Sequence, residues 1–291
     1  MNDIKGKPKV SVVCAWYNRA DYISQTVESL LNQDIENFEV IIANDGSSDP
    51  RVKDILDSYD DPRLTIIHKE NEGFTQTIKM LVDIAQAPFV AIQGAGDISY
   101  PQRLSKQHEF LLLHKNTGAV GSGFDITTES GSSSRYSSPK QITDTEDLKK
   151  IVPFTHGTIM YRKSIYDVSG GYDTRFKYCS DWDLYFRILE LSDIGSVNEA
   201  LYKKIEFNDG FSFSPLHKFS QELYRSTAIY REYDRELLVE SLLTRASKIK
   251  PHKIKYLYMS AKYVVSFFKR KDYNKSYMWF KYLIRSFFRC Q

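Results

Sequence analysis

Three short stretches of this 291-residue chain carry side chains able to do chemistry. "EVIIANDGSSD" places Asp45 at the last position of an apolar run, where a buried carboxylate costs free energy unless a partner or ligand answers it. "AIQGAGDISYPQRL" brackets a single acid, Asp97, with Gly94, Ala95 and Gly96; glycines in such a turn expose backbone N–H groups that can approach an anion. "SDWDLYFRI" sets Asp181 and Asp183 at the start of a helical pattern, where one acid suffices to complement the exposed N–H groups and the second is left for another task. These residues raise the question whether the turn binds a ligand and whether a single carboxylate suffices there.

The elements that would position them follow from hydrophobic periodicity. "KVSVVCAWY" (9–17), "FEVIIAND" (38–45), "RLTIIHK" (63–69) and "PFVAIQG" (88–94) are short β-branched runs that read as buried strands. Between them, "RADYISQTVESLLNQ", "SDPRVKDILDSY" and "GFTQTIKMLVDIAQ" repeat apolar residues at helical spacing, as with Ile23, Val27, Leu30 and Leu31. This alternation predicts βαβ units, a largely parallel sheet and helices on both of its faces. Ligands then bind beyond the carboxyl ends of the strands. The residues found there are Tyr17-Asn18-Arg19, Asp45 to Asp49, Glu70-Asn71-Glu72-Gly73 and Gly94 to Asp97. Asp21 and Asp49 read as helix caps. Residues 124–150, rich in Ser and Thr, read as a surface insertion or hairpin, and Leu184, Ile188 and Leu191 form the stripe of the helix that begins near Ser180.

"VSVVCAWYN", "EVIIANDGSSD", "NEGFTQTIKM", "QGAGDISYPQRLSKQ", "GGYD" and "SDWDLYFRI" together resemble the family 2 glycosyltransferases of the GT-A fold, in the same order and at similar spacing, over about residues 9–207. The resemblance implies a Rossmann-like sheet and an inverting transfer of a sugar from a nucleoside-diphosphate donor to an acceptor hydroxyl. It implies a donor site built from Ala15, Tyr17, Asn18, Asp45, Asn71, Gly73, Lys79, Gly94, Gly96 and Asp97, with Asp45 holding the base, uracil by expectation, or the ribose. It implies Asp181 as general base and His156, Trp182 and Asp183 on the acceptor side. It also implies a divalent cation, Mg2+ or Mn2+, at Asp97.

The chain departs from the family pattern at that last point. Gly94 and Gly96 stand where the metal-binding turn usually carries acids. Ala15-Trp16 replaces the usual Pro-Thr, which would bring a large ring against the base. Lys79 replaces a frequent Asn and either faces the diphosphate or is an ordinary surface lysine. These departures keep a second reading open: a non-catalytic protein that binds a sugar nucleotide or a glycan and has lost its metal site.

Composition bounds the rest. The net charge is +3, but residues 252–291 hold ten cations, one acid and twelve aromatics. Cations interleaved with aromatics on amphipathic helices fit an anionic membrane surface better than nucleic acid. The expected organisation is a catalytic domain over 1–215, with its nucleotide-binding half at 1–100 and acceptor half at 101–215, followed by a basic helical extension over 216–291. "MNDIKGKPKV" lacks the apolar core of a signal peptide and no window is long and apolar enough to span a bilayer. The expected location is therefore cytoplasmic, peripheral on the inner membrane face, with a glycan or lipid-linked acceptor. Cys14, Cys179 and Cys290 have neither disulfide nor zinc spacing.

Overall fold

The computed structural model describes residues 6–128, 133–136, 142–150 and 154–207, with isolated positions 221, 224, 225, 228 and 280. The chain divides into two compact units, Met1–Ile205 and Glu206–Gln291. The first contains nearly all of the described structure. Of the basic segment 252–291, all but the exposed Phe280 lies outside the described residues.

The four expected strands form as β1 (Val10–Trp16), β2 (Phe38–Asp45), β3 (Leu64–Lys69) and β4 (Phe89–Gln93). The short β5 (Ile98–Ser99) follows, then β6 (Thr117–Thr128), β7 (Ser133–Tyr136), β8 (Met160–Arg162) and β9 (Asp193–Glu206). The strand order is β3-β2-β1-β4-β8-β6-β9-β5, with β7 paired to β6. β3, β2, β1 and β4 run parallel, and β8 joins β4 antiparallel. The first half is thus the expected parallel sheet and the second half is mixed. The predicted surface insertion contains the antiparallel hairpin of β6 and β7 and helix α5 (Thr145–Lys150).

Period-two alternation decides which face each strand residue serves. Val10, Val12, Cys14 and Trp16 share one cluster with Phe38, Val40 and Ile42, capped by Ile23, Val27 and Leu30 of α1 (Ile23–Leu31) and Val52 and Leu56 of α2 (Arg51–Asp57). The opposite face packs under α3 (Phe74–Ile84), whose Ile78, Leu81 and Val82 are fully buried. Each such side chain contributes roughly 1.5–3 kcal/mol. Three further helices are α4 (Arg103–Leu113), α6 (Lys163–Val168) and α7 (Ser180–Leu189). No helix among the described residues is long and apolar enough to cross a membrane.

Candidate active site

The carboxyl ends of β1, β2 and β4 form one rim, and Asp45 organises its centre. It is 3 % exposed. Its Oδ1 accepts from Lys69 Nζ at 2.8 Å, Glu72 N–H at 3.0 Å and Thr77 Oγ1 at 2.7 Å, and its Oδ2 accepts from Gly73 N–H at 2.9 Å. Burial opposes the charge, but the bonds from Lys69, Glu72 and Thr77 prevail and hold the carboxyl below its usual value. Asn71 Nδ2 adds a bond to the Asp45 carbonyl at 2.8 Å, so the whole 70–73 loop is moored to this residue. Gly46 (φ +64) permits that closeness, because a Cβ there would lie 2.5 Å from Asn71 N.

The loop after β1 is fastened to the same rim. Asn18, in left-handed backbone, accepts on Oδ1 from Ser48 N–H at 2.9 Å and Asp49 N–H at 3.2 Å. Tyr17 projects beside it, 48 % exposed. Trp16 behaves differently from expectation. Its ring points to the α1 side, is wholly buried, and donates from Nε1 to the Asn18 carbonyl at 2.5 Å. It therefore crowds no base, and Ala15 points to the opposite side of the sheet.

The stretch "GAGD" is a tight turn closed by Asp97 N–H to the Gly94 carbonyl at 3.2 Å, with Gly96 at φ +89. That angle is what the third position of a type II turn demands and what a side chain resists. Gln25 and Thr26 of α1 bond the Gly96 and Asp97 carbonyls, each at 2.8 Å. Asp97 accepts on Oδ2 from the Tyr202 hydroxyl at 2.7 Å and on Oδ1 from Ile205 N–H at 2.8 Å. Burial nonetheless pushes its carboxyl up to about 6, against those two hydrogen bonds. Beneath the turn lies the fully buried Arg103, bonded to Gln93 and Ser99 side chains and the Ile92 carbonyl, its guanidinium 5.0 Å from the Tyr202 ring centre.

Asp181 occupies the first turn of α7, the helix the spacing predicts. Its carboxylate accepts no hydrogen bond from the described residues, and His156, Tyr161 and Tyr185 all feel its charge. His156 Nε2 lies 2.6 Å from the Tyr172 hydroxyl, which lies 2.9 Å from that of Tyr161. Burial lowers the His156 pKa, opposed by Asp181. The half-exposed Phe74 ring meets His156 edge-on at 5.5 Å. A free carboxylate beside a histidine and an aromatic edge is suited to taking a proton from a bound hydroxyl.

Other expected site residues stand further back. Asp183 is buried and pairs with Arg187 at 2.6 Å. Trp182 is 3 % exposed and packs on Phe186. Lys79 pairs with Asp83 one turn on, at 2.7 Å on the outer face of α3. Asp49 and Asp21 both hold Arg51. Arg103, Tyr202, Lys69, Thr77 and Tyr172 were not singled out by type or spacing. Arg103 and Gln107, four apart in "PQRLSKQ" and bonded at 3.1 Å, carry a readable signal; Tyr202, more than a hundred residues from its partner, carries none. A separate hollow of about 310 Å³ lies where β6 begins, between Thr117, Ile165 and Leu191.

The match to known proteins agrees with this geometry. Residues 11–170 match the model of glycosyl transferase family 2. The chain is 33 % identical over 210 residues to "Putative glycosyltransferase EpsE" of Bacillus subtilis, covering 70 % of this chain and 75 % of that one. It is 26 % identical over 245 residues to an uncharacterized glycosyltransferase of Rickettsia felis, covering 81 % of this chain and 40 % of the other. In fold it is similar to TarS of S. aureus solved in complex with UDP, with a TM-score of 0.60, 17 % identity, and coverage of 83 % and 72 %. The class is a GT-A enzyme. The chain belongs to glycosyl transferase family 2 and is a glycosyltransferase.

Family 2 enzymes generally use a divalent cation. The described residues do not fit one held by the protein itself. Asp97 is the one acid of the turn, both its oxygens accept hydrogen bonds, and no three His, Cys, Asp or Glu side chains converge among the described residues. The expected Mg2+ or Mn2+ ligand is therefore present without a cage around it.

Proposed function

We propose that this enzyme transfers a sugar, with inversion, from a UDP-sugar to a hydroxyl of a glycan or lipid-linked glycan in cell-surface polysaccharide assembly. The observation that carries this reading is the uncommitted Asp181 carboxylate on a helix bonded to the donor rim. Thr75 of α3 donates to the Phe176 carbonyl at 2.8 Å and lies 3.3 Å from Ser180 Oγ, while the N-terminus of α3 is bound to Asp45. Base and donor platform are thereby one rigid assembly, the condition for an in-line displacement.

In this mechanism the nucleotide lies across Ala15, Tyr17, Asn18, Asp45, Asn71 and Gly73. Asp45 Oδ2, which takes a single internal bond, retains capacity for a uracil N–H or a ribose hydroxyl. The diphosphate meets the Gly94–Asp97 turn. Asp181 takes the proton of the acceptor hydroxyl as that oxygen bonds the anomeric carbon and the bond from that carbon to the diphosphate oxygen breaks. His156 and Phe74 line the acceptor side, and Trp182 and Asp183 support Asp181 from within α7. Residues 252–291 hold the enzyme on the anionic inner leaflet. TarS, similar in fold, is solved in complex with UDP and with UDP-GlcNAc, which supports a donor of this kind.

Calorimetry with UDP and thermal shift with a panel of nucleotide sugars test the reading. UDP binding and one preferred UDP-sugar are expected; no response to any nucleoside diphosphate would refute it.

A further inference from the structure

Two glycines on separate elements make room for one hydroxyl. A Cβ on Gly94 would lie 3.0 Å from the Tyr202 hydroxyl and 2.5 Å from Asp97 Oδ2, and a Cβ on Gly157 would lie 2.2 Å from the same hydroxyl. Neither glycine has the positive φ that would itself demand glycine, so space is the reason for both. The hydroxyl accepts from Gly94 N–H at 3.0 Å and donates to Asp97 Oδ2 at 2.7 Å. Its ring is wholly buried and lies over Arg103, so it has one available position. The same strand, β9, sends the Ile205 N–H to the other Asp97 oxygen.

We propose that Tyr202 is the positioning residue of the turn: its phenol, through a neutral donor, fixes the Asp97 carboxylate in the volume a side chain at Gly94 would need, with the hydroxyl itself at the edge of that volume, and so excludes a cation held by the protein alone. A side chain at Gly94 and an Asp97 carboxylate held by the Tyr202 hydroxyl compete for one space. The missing acid and the tyrosine are one coupled feature. The engagement of the donor by this turn rests on the function proposed above; the competition for space does not.

The test titrates Mn2+ alone against the full chain, reading free Mn2+ by electron paramagnetic resonance, for wild type, Tyr202→Phe, Gly94→Asp and the double variant. Wild type and Tyr202→Phe should bind no Mn2+ below about millimolar concentration, as a single engaged carboxylate predicts. Gly94→Asp should melt lower than wild type, and adding Tyr202→Phe, which frees the Asp97 carboxyl to turn aside, should recover most of the loss and bind Mn2+ at least about tenfold tighter than wild type. Tyr202→Phe alone should raise the donor KM about fivefold with kcat within about twofold, the mark of lost donor positioning. Micromolar Mn2+ binding by wild type, a Gly94→Asp variant as stable and metal-avid as the double, or an unchanged donor KM in Tyr202→Phe would each overturn the proposal. If Gly94→Asp fails to fold in both backgrounds, Gly94→Ala reads the same competition: it should destabilise the wild type more than Tyr202→Phe, and equal losses would overturn it. Failure of the donor-site reading shows separately, as absent UDP binding by wild type.

Discussion

Thr75 and Ser180 meet at 3.3 Å, side chain to side chain, and both are buried. This contact joins the first turn of α3, beside the donor rim, to the first turn of α7, which carries Asp181. Thr75→Val preserves shape but removes the bond that Thr75 donates to the Phe176 carbonyl, a loss of about 1–2 kcal/mol. The mechanistic effect should exceed the stability effect, because Asp181 shifts relative to the donor. We expect kcat to fall about tenfold or more with donor KM within about twofold. Equal kcat for the two proteins would show that the seam positions nothing.

Asp45 gives a pH dependence with a fixed sign. Its folded pKa lies below the ordinary 3.8, so its stabilising effect is fully present above the unfolded value and lost as pH falls through the folded one. Asp45→Asn also leaves Lys69, 14 % exposed, without its buried partner. At neutral pH the variant should lose about 2–3 kcal/mol in urea denaturation. The gap between the two proteins should hold steady from about pH 6 to 8 and narrow below about pH 4. A gap that is constant down to the lowest pH at which the fold persists would contradict this account of the carboxylate.

Gly96 looks like the place to restore an acid to the turn. Its φ of +89 argues otherwise. Gly96→Asp should lower stability by about 1–2 kcal/mol, a few degrees in melting temperature, and leave Mn2+ binding unimproved. A thermal melt and a metal titration decide it, and a variant both stable and metal-avid would show that the turn is not held in left-handed backbone.

The parallel strands, the helices between them and the rim residues were legible because each is written locally. Apolar periodicity marks β1 to β4 and α3 to within a residue or two, finds α1 inside a longer window, and places α7, although Leu191, read as part of its stripe, lies beyond its end and is exposed; polar residues at strand ends mark the rim. Asp181 was legible as one of two acids where a cap needs one, although only the fold shows that Asp183 is the member committed to Arg187. What stayed hidden is non-local. Nothing near Tyr202 in the chain announces that its hydroxyl fills the space beside Gly94, and nothing near Trp16 says which side of β1 its ring takes. Lys79, weighed as a diphosphate contact or a surface lysine, lies on the outer face of α3, paired with Asp83. The lysine that does converge on Asp45 is Lys69, ten residues earlier, at the end of β3.

The central claim is that Asp181 is the base of a sugar transfer from a nucleoside-diphosphate donor. Asp181→Asn keeps shape and one hydrogen-bond acceptor but cannot take a proton. Release of nucleoside diphosphate from the preferred donor, measured with acceptor present, should fall by about 10² to 10⁴ relative to wild type, with UDP affinity by calorimetry within a few fold. Release within tenfold of wild type would contradict the account and remove Asp181 from the chemistry.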